Sequence, residues 1–301
     1  MFQNLLKVLA LFLFVNNTIL SQQTLQYNLK VNDTFTFLQK SDQNIVQTID
    51  GNKHVMDNSM ESIFTFYVKK VTDSSYIMSF SFDKFVMNTH SNLYGELFNV
   101  NTDSIVTSDT QSRMFMILTE TPLSLEMLKT GKIISLKGTD ALVKKMIDGA
   151  GFENEFTKAV MTEYMKKEFG RNKMINSLEQ FTFIYTKKPV SINDSWQNSL
   201  KGNLNSENTW KLKSSDKNKA TITGTSTIAM QTQDESTEMT LKGTSNASVN
   251  CNKINGTVVN MVVESSMEGK TILKNMGSTE LPTTIISKTT YKALKNVQQT
   301  F

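Results

Sequence analysis

One cysteine, two histidines and three prolines are all that the 301-residue chain holds of these types, and each scarcity removes options. Cys251 alone cannot close an internal disulfide, so stability has to come from the core. At about 280 residues after loss of a leader this is achievable, because chains of that size bury roughly three quarters of their surface. His54, His90 and one thiol do not supply the three or four ligands of an ordinary zinc site. Neither histidine lies in a G-x-S-x-G or similar setting. Both sit among Asn, Ser, Thr and Asp, where exposed strand or loop residues are expected. With only Pro122, Pro189 and Pro282, strands can run long and uninterrupted. Charge of one sign is lacking too: 32 Lys and Arg face 28 Asp and Glu, which argues against a polyanionic partner. Lysines alternate with acids and no basic-aromatic platform occurs, so no nucleic acid is expected.

The N-terminus is the exception to this plainness. Lys7 is followed by the apolar run Val8 to Val15, then polar residues and a processing site at Ile19-Leu20-Ser21. This is the pattern of a secretory signal peptide, and its apolar run falls far short of the roughly 20 residues that span a bilayer. Loss of Met1 to Ser21 removes one cation, leaving 31 basic against 28 acidic residues, a net charge of about +3. The leader carries no cysteine, so a lipoprotein-type anchor on the mature N-terminus is not expected, nor is stable membrane insertion. The expected location is periplasmic or extracellular.

Lys30 to Phe35 reads K-V-N-D-T-F, and 161 positions later Ser191 to Trp196 reads S-I-N-D-S-W. The echo points to two related β halves. In the first, Thr34 to Leu38, Ile63 to Val68 and Tyr76 to Phe82 alternate polar with aromatic or β-branched residues, the period of a sheet with one buried face. Thr72 to Ser75 supplies a hairpin turn. Leu123 to Leu128 and Ile133 to Leu136 form a second hairpin around Gly131, which can take the positive φ such a turn needs. After Pro189, Trp210 to Lys213, Ala220 to Met230, Glu238 to Val249 and Thr257 to Glu264 alternate again. Much of that alternation is Thr against Ser, Gly or Ile, as in a sheet with one wet face.

Between the halves the period changes. Thr139 or Asp140 can cap a helix that Gly149 and Gly151 end. A longer helix is predicted from about Glu153 to Phe169, with Phe156, Val160 and Tyr164 on one stripe and Gly170 as the stop. A third runs from about Asn172 to Glu179. The expected fold is therefore mainly β with a helical insert, α+β in class: two related antiparallel, curved meander sheets or a partial barrel joined by a two- to three-helix segment. The expected units are a signal peptide at 1–21, an N-terminal β half at 22–138, a helical connector at 139–187 and a C-terminal β half at 188–301, forming one compact unit.

The order of leader, V-N-D-T-F opening, aromatic hairpins, L-K-T-G-K-I-I-S-L-K-G at Leu128 to Gly138, the T-D-A-L-V-K-K-M helix, Lys188-Pro189-Val190 and I-N-D-S-W resembles a family of exported proteins of unknown function from Bacteroidota. Many members resemble lipoproteins, from which the cysteine-free leader departs. The resemblance implies export and no catalytic residues.

A search for chemistry returns mostly negatives. Cys251 has no nearby histidine and reads as a small strand hydrophobe. Asp234, Glu235 and Glu238 lack the spacing of a calcium loop, and Gly149 and Gly151 follow a helix without the Lys-Ser/Thr ending of a phosphate loop. No catalytic residue, cofactor or metal is assigned. What remains is apolar surface: 17 methionines and 18 phenylalanines, thioethers being well suited to irregular or adaptable space. The candidate lining for a lipid or other hydrophobic ligand is Phe35, Phe37, Phe64, Phe66, Met78, Phe80, Phe82, Met146, Met161 and Met165, with a dry core as the plainer alternative. Three functions compete: a non-enzymatic envelope protein that binds a hydrophobe, a glycan- or protein-interaction module presenting Trp196 and Trp210, and an unrecognised hydrolase using acids or the two histidines.

Overall fold

The structure is a computed structural model that describes residues 22–49, 51–104, 110–202, 204–233 and 235–294. The signal peptide read from residues 1–21 lies outside the described residues.

The chain is mainly β, with its helices grouped in the middle. The strands are β1 (Thr34–Ile49), β2 (Asn52–Val71), β3 (Ser75–Ser91), β4 (Gly95–Asn101), β5 (Leu123–Leu128), β6 (Ile133–Lys137), β7 (Ser195–Leu200), β8 (Leu204–Ser215), β9 (Lys219–Gln233), β10 (Thr237–Asn252), β11 (Val258–Leu273) and β12 (Thr279–Leu294). The helices are α1 (Thr110–Glu120), α2 (Thr139–Ala150), α3 (Glu155–Phe169) and α4 (Arg171–Thr182). All strands join one antiparallel sheet in the order β6-β5-β3-β2-β1-β12-β11-β10-β9-β8-β7, with β4 on the side of β3. The sheet is open and curved, and the two β halves meet where β1 pairs with β12 from Thr36 opposite Leu294 to Gln47 opposite Thr283.

The sequence echo is a repeated turn. Asn32 and Asn193 both take positive φ, 72° and 76°, a conformation asparagine tolerates better than most residues. The following aspartates close the turns: Asp33 Oδ2 accepts from the Lys30 N–H at 2.7 Å, and Asp194 Oδ2 accepts from the Ser191 N–H at 2.8 Å. Asn32 N–H then donates to Val68 O and Asn193 N–H to Leu212 O, so each turn docks its strand on the next. The predicted hairpins form as well. Thr72 Oγ1 accepts from the Ser74 and Ser75 N–H groups in one turn, and Gly131 takes φ 92° in the other.

Alternation sets the faces. Phe37, Phe64, Phe66, Met78 and Phe80 point to the inner face and join the large core with α1, α2 and α4. Phe181 of α4 sits between Phe37, 4.8 Å away edge to face, and Tyr291, stacked at 4.6 Å. The same helix occupies the gap between the edge strands. Glu179 Oε1 accepts from the Ile133 N–H of β6 at 2.7 Å. Beyond the helix end, Ile184 O and Phe183 O accept from Trp196 Nε1 and Asn198 Nδ2 of β7. Exposed strand edges invite pairing with other chains, and α4 covers both.

Three local readings change. Helix α2 begins at Thr139 with Gly138 in the cap position and no side-chain cap bond. Helix α1 has no counterpart in the sequence reading: its Met114, Phe115 and Leu118 are held by tertiary packing, Phe115 stacking on Phe85 at 5.2 Å. The stripe Phe156, Val160 and Tyr164 faces outward, exposed at 77, 51 and 58%. A competing stripe one residue further, Met161, Met165 and Phe169, packs on the core instead.

The far end of the sheet carries a second apolar cluster of Ile228, Leu241, Met267 and Ile285 without helical cover. Two of its members, Leu241 and Met267, sit opposite glycines where β10 and β11 approach closely. A Cβ on Gly243 would strike Ser266 O, and one on Gly269 would strike Thr240 O. Gly243→Val is therefore expected to cost about 3 kcal/mol or more, the upper end for overpacking, read as a lowered urea midpoint. An unchanged midpoint would show that the pairing of β10 with β11 does not depend on this approach.

Candidate functional site

The predicted lining residues come together as core. Phe37, Phe64, Phe66, Met78, Phe80, Met146 and Met165 are buried, and Phe35, Phe82 and Met161 pack partly buried against them. The space left among Phe35, Phe37, Phe66, Met78 and Phe181 is about 20 Å³, room for about one water. A larger space opens on the same inner face, further along the strands.

That space is a groove of about 230 Å³. One wall is the end of α4 with Glu179, Gln180 and Phe183, and the floor is the inner face of β8 to β12 and β1. It lies between the helix-covered core and the far apolar cluster, with Leu204, Ile228, Met230 and Met267 at the far side and Trp210, Met261 and Tyr291 at the near side.

A polar row crosses its floor, where Asn208, Ser226, Ser245, Ser265, Ser287 and Gln43 line the groove. Register places Asn198, Asn208, Ser226, Ser245, Ser265, Ser287, Gln43 and Asn58 opposite one another on eight successive strands. The row is internally bonded. Ser226 Oγ donates to Asn208 Oδ1 at 2.6 Å, Asn208 Nδ2 to Asn198 Oδ1 at 2.8 Å, and Ser265 and Ser287 share a 2.7 Å bond. Asn58 Nδ2 donates to Gln43 Oε1 at 3.0 Å. Ser206, next to this row on β8 and 7% exposed, has an Oγ with no hydrogen-bond partner, as does Asn58 Oδ1. Buried polar atoms are ordinarily paired, and an orphan calls for an explanation.

The groove is nearly uncharged. Among the described residues no Lys or Arg lines it, and Glu179 is the one acid that does. Burial raises the Glu179 carboxyl above its ordinary value, opposed by the Ile133 N–H and by Lys132. Burial also lifts the Tyr291 phenol.

Other candidates resolve differently. Trp196 and Trp210 are buried cross-strand partners, the indole of Trp210 lying over Gly224, so neither is presented to solvent. His54, expected to be exposed, is buried: its Nε2 bonds Ser91 Oγ at 2.9 Å and its ring meets the edge of Tyr94. The pairing of β3 with β2 sets the β3–β4 turn beside it, Asn92 N–H donating to Val55 O. His90 is exposed. Cys251 is buried beside Tyr185, and burial pushes its thiol up to about 12, far from a reactive thiolate. Among the described residues no group of three or more His, Cys, Asp or Glu is placed to hold a metal ion. The outer face has a wider, open depression of about 680 Å³ lined by residues such as Asp42, Asn44, Asp57, His90, Glu264 and Lys288. Among the described residues no Trp, Tyr or Phe lines it.

Fold and groove together define a protein built on one open, curved antiparallel sheet whose inner face carries a helix-covered core and, beside it, a neutral amphiphilic groove. The model of DUF6263, a family of unknown function, matches residues 73–258, and the chain belongs to that family. No curated protein matches it. Among solved structures the chain is similar to lipovitellin, in a structure concerned with lipid–protein interactions, at a TM-score of 0.54 and 9% identity, covering 89% of this chain and 26% of that one. The chain thus spans about a quarter of the lipovitellin chain, and the likeness is one of fold. An outer membrane channel from Pseudomonas putida F1 matches at 9% identity over 89% of this chain and 98% of that one, with a TM-score of 0.26. No helix among the described residues is long and apolar enough to cross a membrane.

The raised Glu179 carboxyl has a definite sign. A carboxyl that protonates more readily folded than unfolded costs nothing below its unfolded value, and its cost grows as pH rises through the folded value. Glu179→Gln, which keeps an oxygen for the Ile133 N–H, is expected to raise Tm at pH 7 by a few degrees, at about 2–4 °C per kcal/mol for a domain this size. The gain should fade as pH drops below the ordinary carboxylate range. A gain that is constant with pH would show that the charge is not its cause.

Proposed function

We propose that this is an exported cell-envelope protein that binds a lipid or other hydrophobic ligand without catalysis, and that the inner-face groove is the binding site. The observation that carries the reading is the groove itself: a concave, apolar-walled space with a few polar groups, the ordinary anatomy of a small-molecule site. It lies next to a core already packed by the predicted Phe and Met residues. In this reading Phe35, Phe37, Phe64, Phe66, Met78, Phe80, Phe82, Met146, Met161 and Met165 are the support behind the site, and an apolar chain reaches them only where the small gap beside Phe35 and Met78 widens. The leader pattern of residues 1–21 supports export. The fold-level likeness to lipovitellin supports a lipidic ligand. The interaction-module reading has less support, because both tryptophans are buried and the outer depression has no aromatic platform.

The test is mass spectrometry of protein exported and purified without detergent, under native conditions and after organic extraction. A co-purifying hydrophobe near one per chain is expected. Leu204→Glu, at a half-buried groove position, should lower occupancy at least 10-fold while leaving the circular dichroism unchanged. An empty wild-type protein that also takes up no lipid from vesicles would overturn the reading.

A further inference from the structure

The groove's polarity narrows the chemistry of its occupant, given the binding role just proposed. We infer that the ligand is an uncharged amphiphile, an acyl or alkyl chain bearing hydroxyl or amide groups, with its polar part on the Ser/Asn row and its chain over the far apolar residues.

Four observations converge on this class. The first is charge. A phosphate or carboxylate head would enter a site where, among the described residues, no cation and one acid line the wall, and a buried unpaired charge is strongly unfavourable. A cationic head finds only Glu179, one of whose oxygens already accepts from the Ile133 N–H.

The second is the row. Hydroxyls and amides from six strands, Asn208, Ser226, Ser245, Ser265, Ser287 and Gln43, present both donors and acceptors, which suits a partner that also does both. A plain hydrocarbon would desolvate the row and leave its remaining donor and acceptor capacity unused.

The third is Ser206. Its hydroxyl is buried in the groove wall and orphaned. A protein chain gains nothing from that arrangement alone, whereas a ligand hydroxyl or amide at this point satisfies it.

The fourth is spacing. Leu204 and Met230 lie four residues along their strands from Asn208 and Ser226, hence about 13 Å at the ordinary strand rise. An apolar chain running along the strands from the row therefore meets Leu200, Leu204, Ile228, Met230 and Met267 among the described residues before it leaves the groove. The groove's roughly 230 Å³ is below the usual 300–1,000 Å³ of sites that enclose a drug-sized ligand, so a long chain projects beyond it.

The experiment is a calorimetric titration of the delipidated mature protein with 1-monooleoylglycerol and, at pH 8, with oleate. The two share a chain and differ in head charge. Monooleoylglycerol is expected to bind at least 10-fold tighter. Ser206→Ala is expected to weaken that binding by about 5-fold, the worth of one neutral hydrogen bond of about 1 kcal/mol. Because Ser206→Ala removes an orphaned group, its Tm should be equal or higher, so a loss of binding cannot be ascribed to unfolding. Equal or tighter oleate binding would overturn the neutral-amphiphile inference while leaving a hydrophobe-binding groove. Wild-type affinity in Ser206→Ala would overturn the placement of the polar part on Ser206. Failure of both lipids to bind would overturn the groove as a binding site altogether.

Discussion

The pairing of β1 with β12 is the interaction on which the rest of the structure depends. It joins two β halves that are far apart in sequence, so that Ser41 and Thr289, 248 positions apart, share a 2.9 Å hydrogen bond. The seam is pinned at both ends. At the helical end, Phe37 of β1 and Tyr291 of β12 pack on the two sides of Phe181. At the far end, Gln47 Nε2 donates to Thr271 Oγ1 and Thr283 Oγ1, which bond each other in a buried cluster. Apolar contact fixes one end and a satisfied polar network fixes the other. Without the seam, neither the polar row nor the apolar cluster around Ile285 would exist. Lys40 with Glu61 and Lys288 with Glu264 flank the seam outside, and such exposed pairs add little.

Curvature then does two things with one face. Where helices cover it, the face becomes a dry core of aromatic rings. Where β10 and β11 approach closely at Gly243 and Gly269, it carries a second, smaller apolar cluster. The groove is what lies between, and its polar row separates two apolar regions. A sheet of hydroxyls and amides so placed is costly to desolvate unless its groups are paired. Most are paired along the row, and the orphaned Ser206 and Asn58 atoms mark where the pairing stops.

Much of the fold was legible in the sequence because its signals are local. Period-two alternation located the strands, Thr72 to Ser75 and Gly131 located hairpin turns, and the repeated N-D-T/S pointed to two related halves, in each of which the structure shows it closing an Asx turn. The seam was not legible, since strand pairing across more than 200 residues leaves no local mark. Two stripes competed on α3, and Phe156, Val160 and Tyr164 lost to Met161, Met165 and Phe169, a choice made by tertiary contact. The Phe and Met residues read as ligand lining were apolar enough to be core, which sequence alone does not distinguish. The groove was hidden for a different reason: in Thr244-Ser245-Asn246 both faces of the strand are polar, so alternation does not show which is inside. A signal was present in Ser226, Ser245, Ser265 and Ser287, which recur roughly every 20 residues, the length of a strand and its turn.

The most direct test of the account is where a bound hydrophobe touches the protein, read from the methionine methyl resonances of 13C-methyl-labelled protein on titration with an amphiphile. Met230, Met261 and Met267 line the groove, whereas Met78, Met146 and Met165 are enclosed in the core. The account predicts saturable shifts at the first three and none at the second three. Shifts confined to Met78, Met146 and Met165 would contradict it, placing the ligand inside the helix-covered core.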